Sequence, residues 1–303
     1  MKNKKNYILS ILAFVGFIFG LTGQTLAATT PSLGSSSTFG ILSSSYTNTT
    51  TGTTIGGDLG YTTGPALAPT VSGTTHTADA TYNQAGIDQG SALTDLNSQA
   101  CTFTFASGTI NLSTDTTHGP VGVYTSGVYC VSGAASIGTA GITLSGSGTF
   151  IFKINGALTS VANSTVVLSG VSACDVFWTP TAATTLGANS LFAGTDLDAS
   201  GITIGSTVTW AGRALAYGGT VSTNIDTITT PTCTAPAPNG GSSSTSNGAS
   251  STTSGGTGLP GTPDTGFNVS TINPWHNLAI YGLSAVSLLV LAFVAHRTAM
   301  KQS

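Results

Sequence analysis

The sequence predicts an all-β-dominated fold: an irregular β-solenoid that carries one long α-helix. Three observations predict it. The second half of the chain repeats itself at intervals of about 16–18 residues, with one longer member. Only one stretch before the C-terminal region has helical periodicity. The composition favours strands and tight turns: 40 of 303 residues are Gly, only 6% are charged, and every acidic residue is Asp. Thr, Val and Ile pack well on pleated surfaces, whereas helical bundles need the Glu, Lys and Arg that are scarce here.

In chain order, residues 1–28 read as a signal peptide. Lys2, Lys4 and Lys5 precede the apolar run Ile8 to Leu21, and Leu26-Ala27-Ala28 supplies a small-residue cleavage site. Residues 29–233 form the expected exported domain. Its N-terminal part holds weak copies of the repeat, TTIGGDLG at 53–60 and TVSGTTHT at 70–77. From about 77 to 99 the chain reads as a helix, with Ala78, Tyr82, Ala85, Leu93 and Leu96 on one face. Thr75 or Thr77 is positioned to cap it, Asp79 suits the helix dipole, and Gly86 and Gly90 weaken it. Cys101, Cys130, Cys174 and Cys233 are an even set in an exported domain, which suggests two disulfides with three possible pairings.

The clear repeats begin at 142, 158, 184, 202 and 220. Each opens with a short alternating strand, turns at Gly, Asn or Ser, and runs a second strand to another turn. That length fits one coil of a solenoid. Alternation separates the faces. In Ile202-Thr203-Ile204-Gly205 the isoleucines point inward and Thr203 points out. The same phase puts Thr143, Thr159, Thr185 and Ser222 outward, with Thr207 and Thr209 as a second row. Val161 and Leu191 are expected to interrupt these rows, and Trp178 and Trp210 to be buried.

Residues 234–262 are Ser, Gly, Thr, Asn and Pro without charge, a flexible tether. Residues 263–303 contain Pro263-Asp264-Thr265-Gly266, an apolar run at about 278–295 long enough to span a membrane, and a basic tail with Arg297 and Lys301. The tail places the C-terminus inside and the bulk of the chain outside. The Pro-x-Thr-Gly motif, span and basic tail resemble a cell-wall sorting signal. The resemblance implies sortase cleavage between Thr265 and Gly266, although Thr262 stands where Leu is usual. The expected localisation is therefore the cell surface, anchored to membrane or wall.

Several function classes are excluded. Between residues 28 and 266 the only basic residues are Lys153 and Arg213, so nucleic acid is not a partner. Metal binding lacks a Cys-x-x-Cys or His spacing, and no cofactor is expected. An enzyme would need clustered carboxylates, and only Asp196 and Asp198 stand close together. A flat, rigid, uncharged array of hydroxyls and methyls has another use. The methyls order neighbouring water and the hydroxyls pin it, so such a face holds water in lattice-like order.

The stretch from Leu33 to Cys233 resembles the microbial ice-binding protein family. The motifs are LGSSSTFGILSSSYTNT, IGGDLGYTTG, SGTTHTADATYNQA, GVYTSGVYCVSGAASIG, TFIFKINGALTS, ACDVFWTP and AGRALAYGGTVSTNIDTIT, in that order. The resemblance implies a solenoid of triangular cross-section with one long helix packed alongside, and a variable end cap at about 101–130. It also implies that one flat face binds ice or ordered water. Onto that face fall Thr143, Thr159, Thr185, Thr203 and Ser222, with Thr54 and Thr74 from the N-terminal coils. The alternative expectation is a surface adhesin of the same fold that binds polysaccharide or another cell.

Overall fold

The computed structural model describes residues 27–233. Most of the expected signal peptide, the linker at 234–262, the Pro263-Asp264-Thr265-Gly266 motif and the apolar run at 278–295 lie outside the described residues. Among the described residues no helix is long and apolar enough to cross a membrane.

A 3-10 turn, Gly34–Thr38, leads into the first coil, β1 (Phe39–Asn48), β2 (Thr54–Ile55) and β3 (Asp58–Tyr61). The second holds β4 (Thr70–Val71) and β5 (Thr75–Thr77), and α1 (Ala80–Ser98) follows it. Next come β6 (Phe103–Thr104), β7 (Ile110–Asn111) and β8 (Val123–Tyr124). The later coils are β9 (Gly127–Val131), β10 (Ala135–Ile137), β11 (Ile142–Ser145), β12 (Phe150–Ile154), β13 (Leu158–Ser160) and β14 (Val166–Ser169). A short 3-10 turn, Ala173–Asp175, precedes β15 (Val176–Pro180) and β16 (Thr184–Leu186). The chain ends with β17 (Leu191–Leu197), β18 (Ile202–Ile204), β19 (Thr209–Thr223) and β20 (Thr227–Thr229).

The strands stack in parallel into three faces, which gives the triangular section. The helix face runs through β6, β9, β12, β15, the end of β17, the middle of β19, the start of β1, β3 and β5. The second face runs through β7, β10, β13, β16, β18 and the ends of β19 and β1. The third holds β8, β11, β14, the starts of β17 and β19, β20, β2 and β4. The expected period holds best at the end of the chain, where Leu191, Thr209 and Thr227 follow one another every 18 residues. Earlier coils are longer, because their corners carry extra residues: Ser136, Thr159 and Thr185 are register partners at intervals of 23 and 26.

Stacking order is not chain order. β1 lies between β19 and β3, so the last coil closes onto the first. The coil at 70–77 ends one side of the stack, and β6 and β7, within the expected cap at 101–130, end the other. The 19 residues of α1 rise roughly 28 Å and carry the chain between these ends.

The helix begins later than expected. Thr77 belongs to β5, and Ala78 turns the chain at φ 49, so the cap falls on Asp79, whose side chain accepts from the Tyr82 N–H at 2.8 Å. Ala78 is exposed outside the helix, and the buried stripe is Tyr82, Ala85, Gly86, Gln89, Ala92 and Leu96, with Leu93 half-buried. It packs on Phe39, Leu42, Val128, Ile151, Phe177, Leu197 and Leu215 of the helix face. Gly86 has a packing role: a Cβ there would collide with the Tyr217 ring. The Lys153 ammonium closes the far end, donating to the Asn97 and Gln99 carbonyls at 2.7 and 2.9 Å.

Inside the coils, aromatic rings stack along the axis. Tyr129 to Phe152 is 5.1 Å and Phe152 to Trp178 is 4.3 Å, close to parallel in both cases. Trp178 and Trp210 are fully buried, their indole N–H groups donating to the Ala193 and Gly194 carbonyls. Both disulfides are formed: Cys101–Cys130 spans 29 residues at the capped end, and Cys174–Cys233 spans 59 and straps the chain end to the body.

Candidate functional site

The helix face is covered, and the second and third faces present side chains outward. On the second face one column runs through register partners Asn111, Ser136, Thr159, Thr185, Thr203, Ser222 and Thr47. All seven are exposed or half-buried. Their strand neighbours point inward and anchor them, as with Leu158, Leu186, Ile202, Ile204 and Val221. Residues two positions away share the outward face. Most of these are small, Ala134 and Gly138, Ala157, Ala183 and Gly187, Gly201 and Gly205, while the exposed Val161 beside Thr159 is larger. Gly205 is needed here, because a Cβ would sit 2.7 Å from the Leu186 carbonyl of the adjacent coil.

Seven strands at about 4.8 Å extend the column over roughly 29 Å. No bulge falls within it; the one register shift of β1 against β19 lies between Ser43 and Ser45, before Thr47. Neighbouring hydroxyls also bond along it, Thr47 Oγ1 donating to Ser222 Oγ at 2.7 Å.

The third face is less regular. One column contains Thr70, Thr54, Thr227, Thr209 and Leu191. Leu191 is 50% exposed, and β8, β11 and β14 form a separate sheet, linked to β17 by the isolated bridge Thr165 to Leu191. Thr143 lies in that separate sheet, between Val123 and Val167.

The expected site residues thus divide. Thr159, Thr185, Thr203 and Ser222 share the column. Thr143 does not head it, a correction forced by the sheet it belongs to, although it alternates in the same phase. Thr54 also lies on the third face. Thr74 sits in the bend before β5, where its N–H donates to Asp58 Oδ1 at 2.7 Å, and joins neither column. Thr209 is exposed on the third face, while Thr207 is a corner residue at φ 61. Val161, 43% exposed, flanks Thr159 and is not in the column. The sequence reading missed Asn111, Ser136 and Thr47. Ser136 was legible from its alternation in Ala135-Ser136-Ile137, whereas Thr47 is separated from Ser222 by most of the chain.

Charge is sorted away from both open faces. Lys153 and Arg213 belong to the helix face, Asp79 caps α1, and Asp88 and Asp95 lie within it. Asp196, Asp198 and Asp226 are buried. Asp198 accepts from the N–H groups of Thr184 and Ser200 at 2.9 and 2.6 Å; Asp226 accepts from Val208 and Asn224 at 2.8 and 2.6 Å. Two of these carboxylates therefore hold coil corners. Burial raises the pKa of Asp196 and Asp198 and pushes Asp226 to about 6. Among the described residues no three metal-ligating side chains cluster.

Comparison with known proteins supplies the family. The family model described as ice-binding-like matches residues 40–229, from β1 to β20. An ice-binding protein of Nostoc sp. (strain HG1) is 30% identical over 250 residues, covering 78% of this chain and 86% of that protein.

The chain belongs to the ice-binding-like family.

Solved relatives of the family share the fold. An ice-binding protein from an Antarctic biological consortium superposes with a TM-score of 0.59 at 30% identity, covering 68% of this chain and 93% of that one. One from the Antarctic ascomycete Antarctomyces psychrotrophicus gives 0.60 at 27%, covering 68% and 100%. The ice-binding-like match takes in both open faces and α1, and leaves residues 27–39 and 230–233 outside it.

Proposed function

We propose that this protein binds ice through the second face of its solenoid. The observation that carries the reading is the unbroken column of Asn111, Ser136, Thr159, Thr185, Thr203, Ser222 and Thr47 on a charge-free sheet. Hydroxyls recur at about 4.8 Å along the stack, and outward positions recur at about 6.6 Å along each strand. Methyl and glycine surface between them offers nothing that would pull water into tight hydration shells. Waters pinned on such a grid adopt the order of the crystal they join. The naming of the relatives as ice-binding proteins supports the same assignment.

The test is ice recrystallisation by the purified protein. Inhibition at micromolar concentration is expected. Thr185→Tyr, which plants a ring in the middle of the column, should remove it while leaving circular dichroism and thermal melting unchanged. Full activity in that variant would rule this face out.

We also propose that the chain is exported and tethered at the cell surface. The N-terminal 28 residues, the uncharged linker, the Pro263-Asp264-Thr265-Gly266 motif and the apolar run at 278–295 support this reading, and two disulfides suit an oxidising compartment. Fractionation of expressing cells tests it: the protein should remain with the envelope, and a chain truncated after residue 262 should be released to the medium. An envelope-bound truncated chain would refute the tether.

A further inference from the structure

Arg213 is buried, with 2% of its surface exposed. Its Nε donates to the Ser37 carbonyl at 2.8 Å, and Nη2 donates to the Pro231 carbonyl at 2.9 Å and lies 3.6 Å from Cys233 Sγ. The remaining nitrogen, Nη1, is buried and has no acceptor among the described residues. The two ion pairs among the described residues are His76–Asp79 and His118–Asp115, so Arg213 has no carboxylate partner there. Burial pushes its pKa down to about 10, which leaves it charged at pH 7. A full positive charge therefore lies inside the protein against carbonyl dipoles alone, an arrangement strongly unfavourable without a counter-ion.

A second orphan belongs to the neighbouring strand. Thr195 is the register partner of Arg213 on the adjacent parallel strand, so both side chains leave the sheet on the same side, one strand spacing apart. Thr195 is fully buried, and its Oγ1 also has no partner among the described residues. The Ala173–Asp175 turn packs over this part of β17 and β19, held by the Cys174–Cys233 disulfide.

We propose that Arg213 and Thr195 hold a small monoatomic anion, such as chloride, beneath the Cys174–Cys233 strap. A guanidinium N–H and a hydroxyl O–H both donate, which is what an anion requires. A water molecule would satisfy these hydrogen bonds but leave the charge uncompensated. The anion would stabilise the place where Ser37 and Pro231, from opposite ends of the domain, meet on one side chain.

Crystals of the protein grown in sodium bromide test this directly. An anomalous peak between Arg213 Nη1 and Thr195 Oγ1 is the expected result, and a water with no anomalous signal overturns the proposal. In solution, at constant ionic strength, Tm should be higher in chloride or bromide than in gluconate, by roughly 2–4 °C once the anion exceeds its Kd several-fold. Arg213→Met would also remove the bonds to Ser37 and Pro231, so Thr195→Val is the informative variant. It should fold and lose the halide dependence. Equal melting of the unaltered protein in all these salts refutes the site.

Discussion

Left-handed backbone marks the corners between the second and third faces. Asn163, Asn189, Thr207 and Ile225 occupy them at φ 63, 57, 61 and 59. Asn tolerates this region, whereas a β-branched residue there is strained by about 1–2 kcal/mol. Ile225 is exposed, so nothing in the core repays the strain. Ile225→Asn should therefore stabilise the protein by about 1 kcal/mol, seen as a higher denaturant midpoint at unchanged slope. An unchanged or lower midpoint would show that the Ile side chain contributes contacts worth the strain. At this scale the sequence was only partly legible. Asn163 and Asn189 advertise turns, but Thr207 and Ile225 are β-branched, and alternation puts Thr207 on a face. Its conformation follows from the 18-residue coil that stacks Thr207 N–H onto the Asn224 carbonyl. No local preference in the sequence records that.

Among the elements, α1 separates two glycines that the sequence treats alike. Gly90 has open space where a Cβ would stand, and Gly86 has the Tyr217 ring. Gly90→Ala should stabilise by roughly 0.5–1 kcal/mol, through helix propensity and unfolded-state entropy. Gly86→Ala should instead destabilise by about 1–3 kcal/mol, because it overpacks the helix against the sheet. Thermal melting of the two variants checks the opposite signs; a gain in both would show that Tyr217 yields easily. The helix itself was legible because Tyr82, Ala85 and Leu96 repeat at helical spacing. Its start was not, since Thr77 is claimed by the ladder to Tyr61 and only then does Asp79 become the cap. The second face was legible in Thr159, Thr185, Thr203 and Ser222 for a related reason: period-two alternation tells inside from outside. It does not say which of three outsides, and so Thr143 went astray.

For the whole molecule, the acids set a pH dependence. Burial raises the pKa values of Asp196, Asp198 and Asp226, so the folded chain holds these protons more tightly than the unfolded one. Their contribution is fully present below the unfolded value near 4 and is lost as pH rises through the folded value, about 6 for Asp226. Asp79 and Asp88 behave oppositely. The Tyr82 N–H and the Ser35 N–H, respectively, lower their pKa values, so what they contribute is lost as pH falls below about 4. Tm should therefore rise as pH is lowered from 7 to about 4.5 and drop again below about 3.5. A Tm that climbs steadily toward pH 7 would contradict the burial of these carboxylates. The solenoid was legible as a class of fold because repeats are visible in one dimension. Its closure was not, because β1 and β19 lie at opposite ends of the domain's sequence and no local pattern pairs them.

That closure bears on how the chain acquires its structure. Ile41 pairs with Ala214, 173 residues away, and the pairing continues to Asn48 and Thr223. An open repeat array can nucleate anywhere and fray from either end. Here the end coils are fastened inside the stack, so unzipping has no free terminus to start from and the molecule should melt as a unit. Folding bears the corresponding delay, since contacts this distant in sequence form slowly. A growing chain keeps its first strand without its β19 neighbour until nearly the last coil has been made.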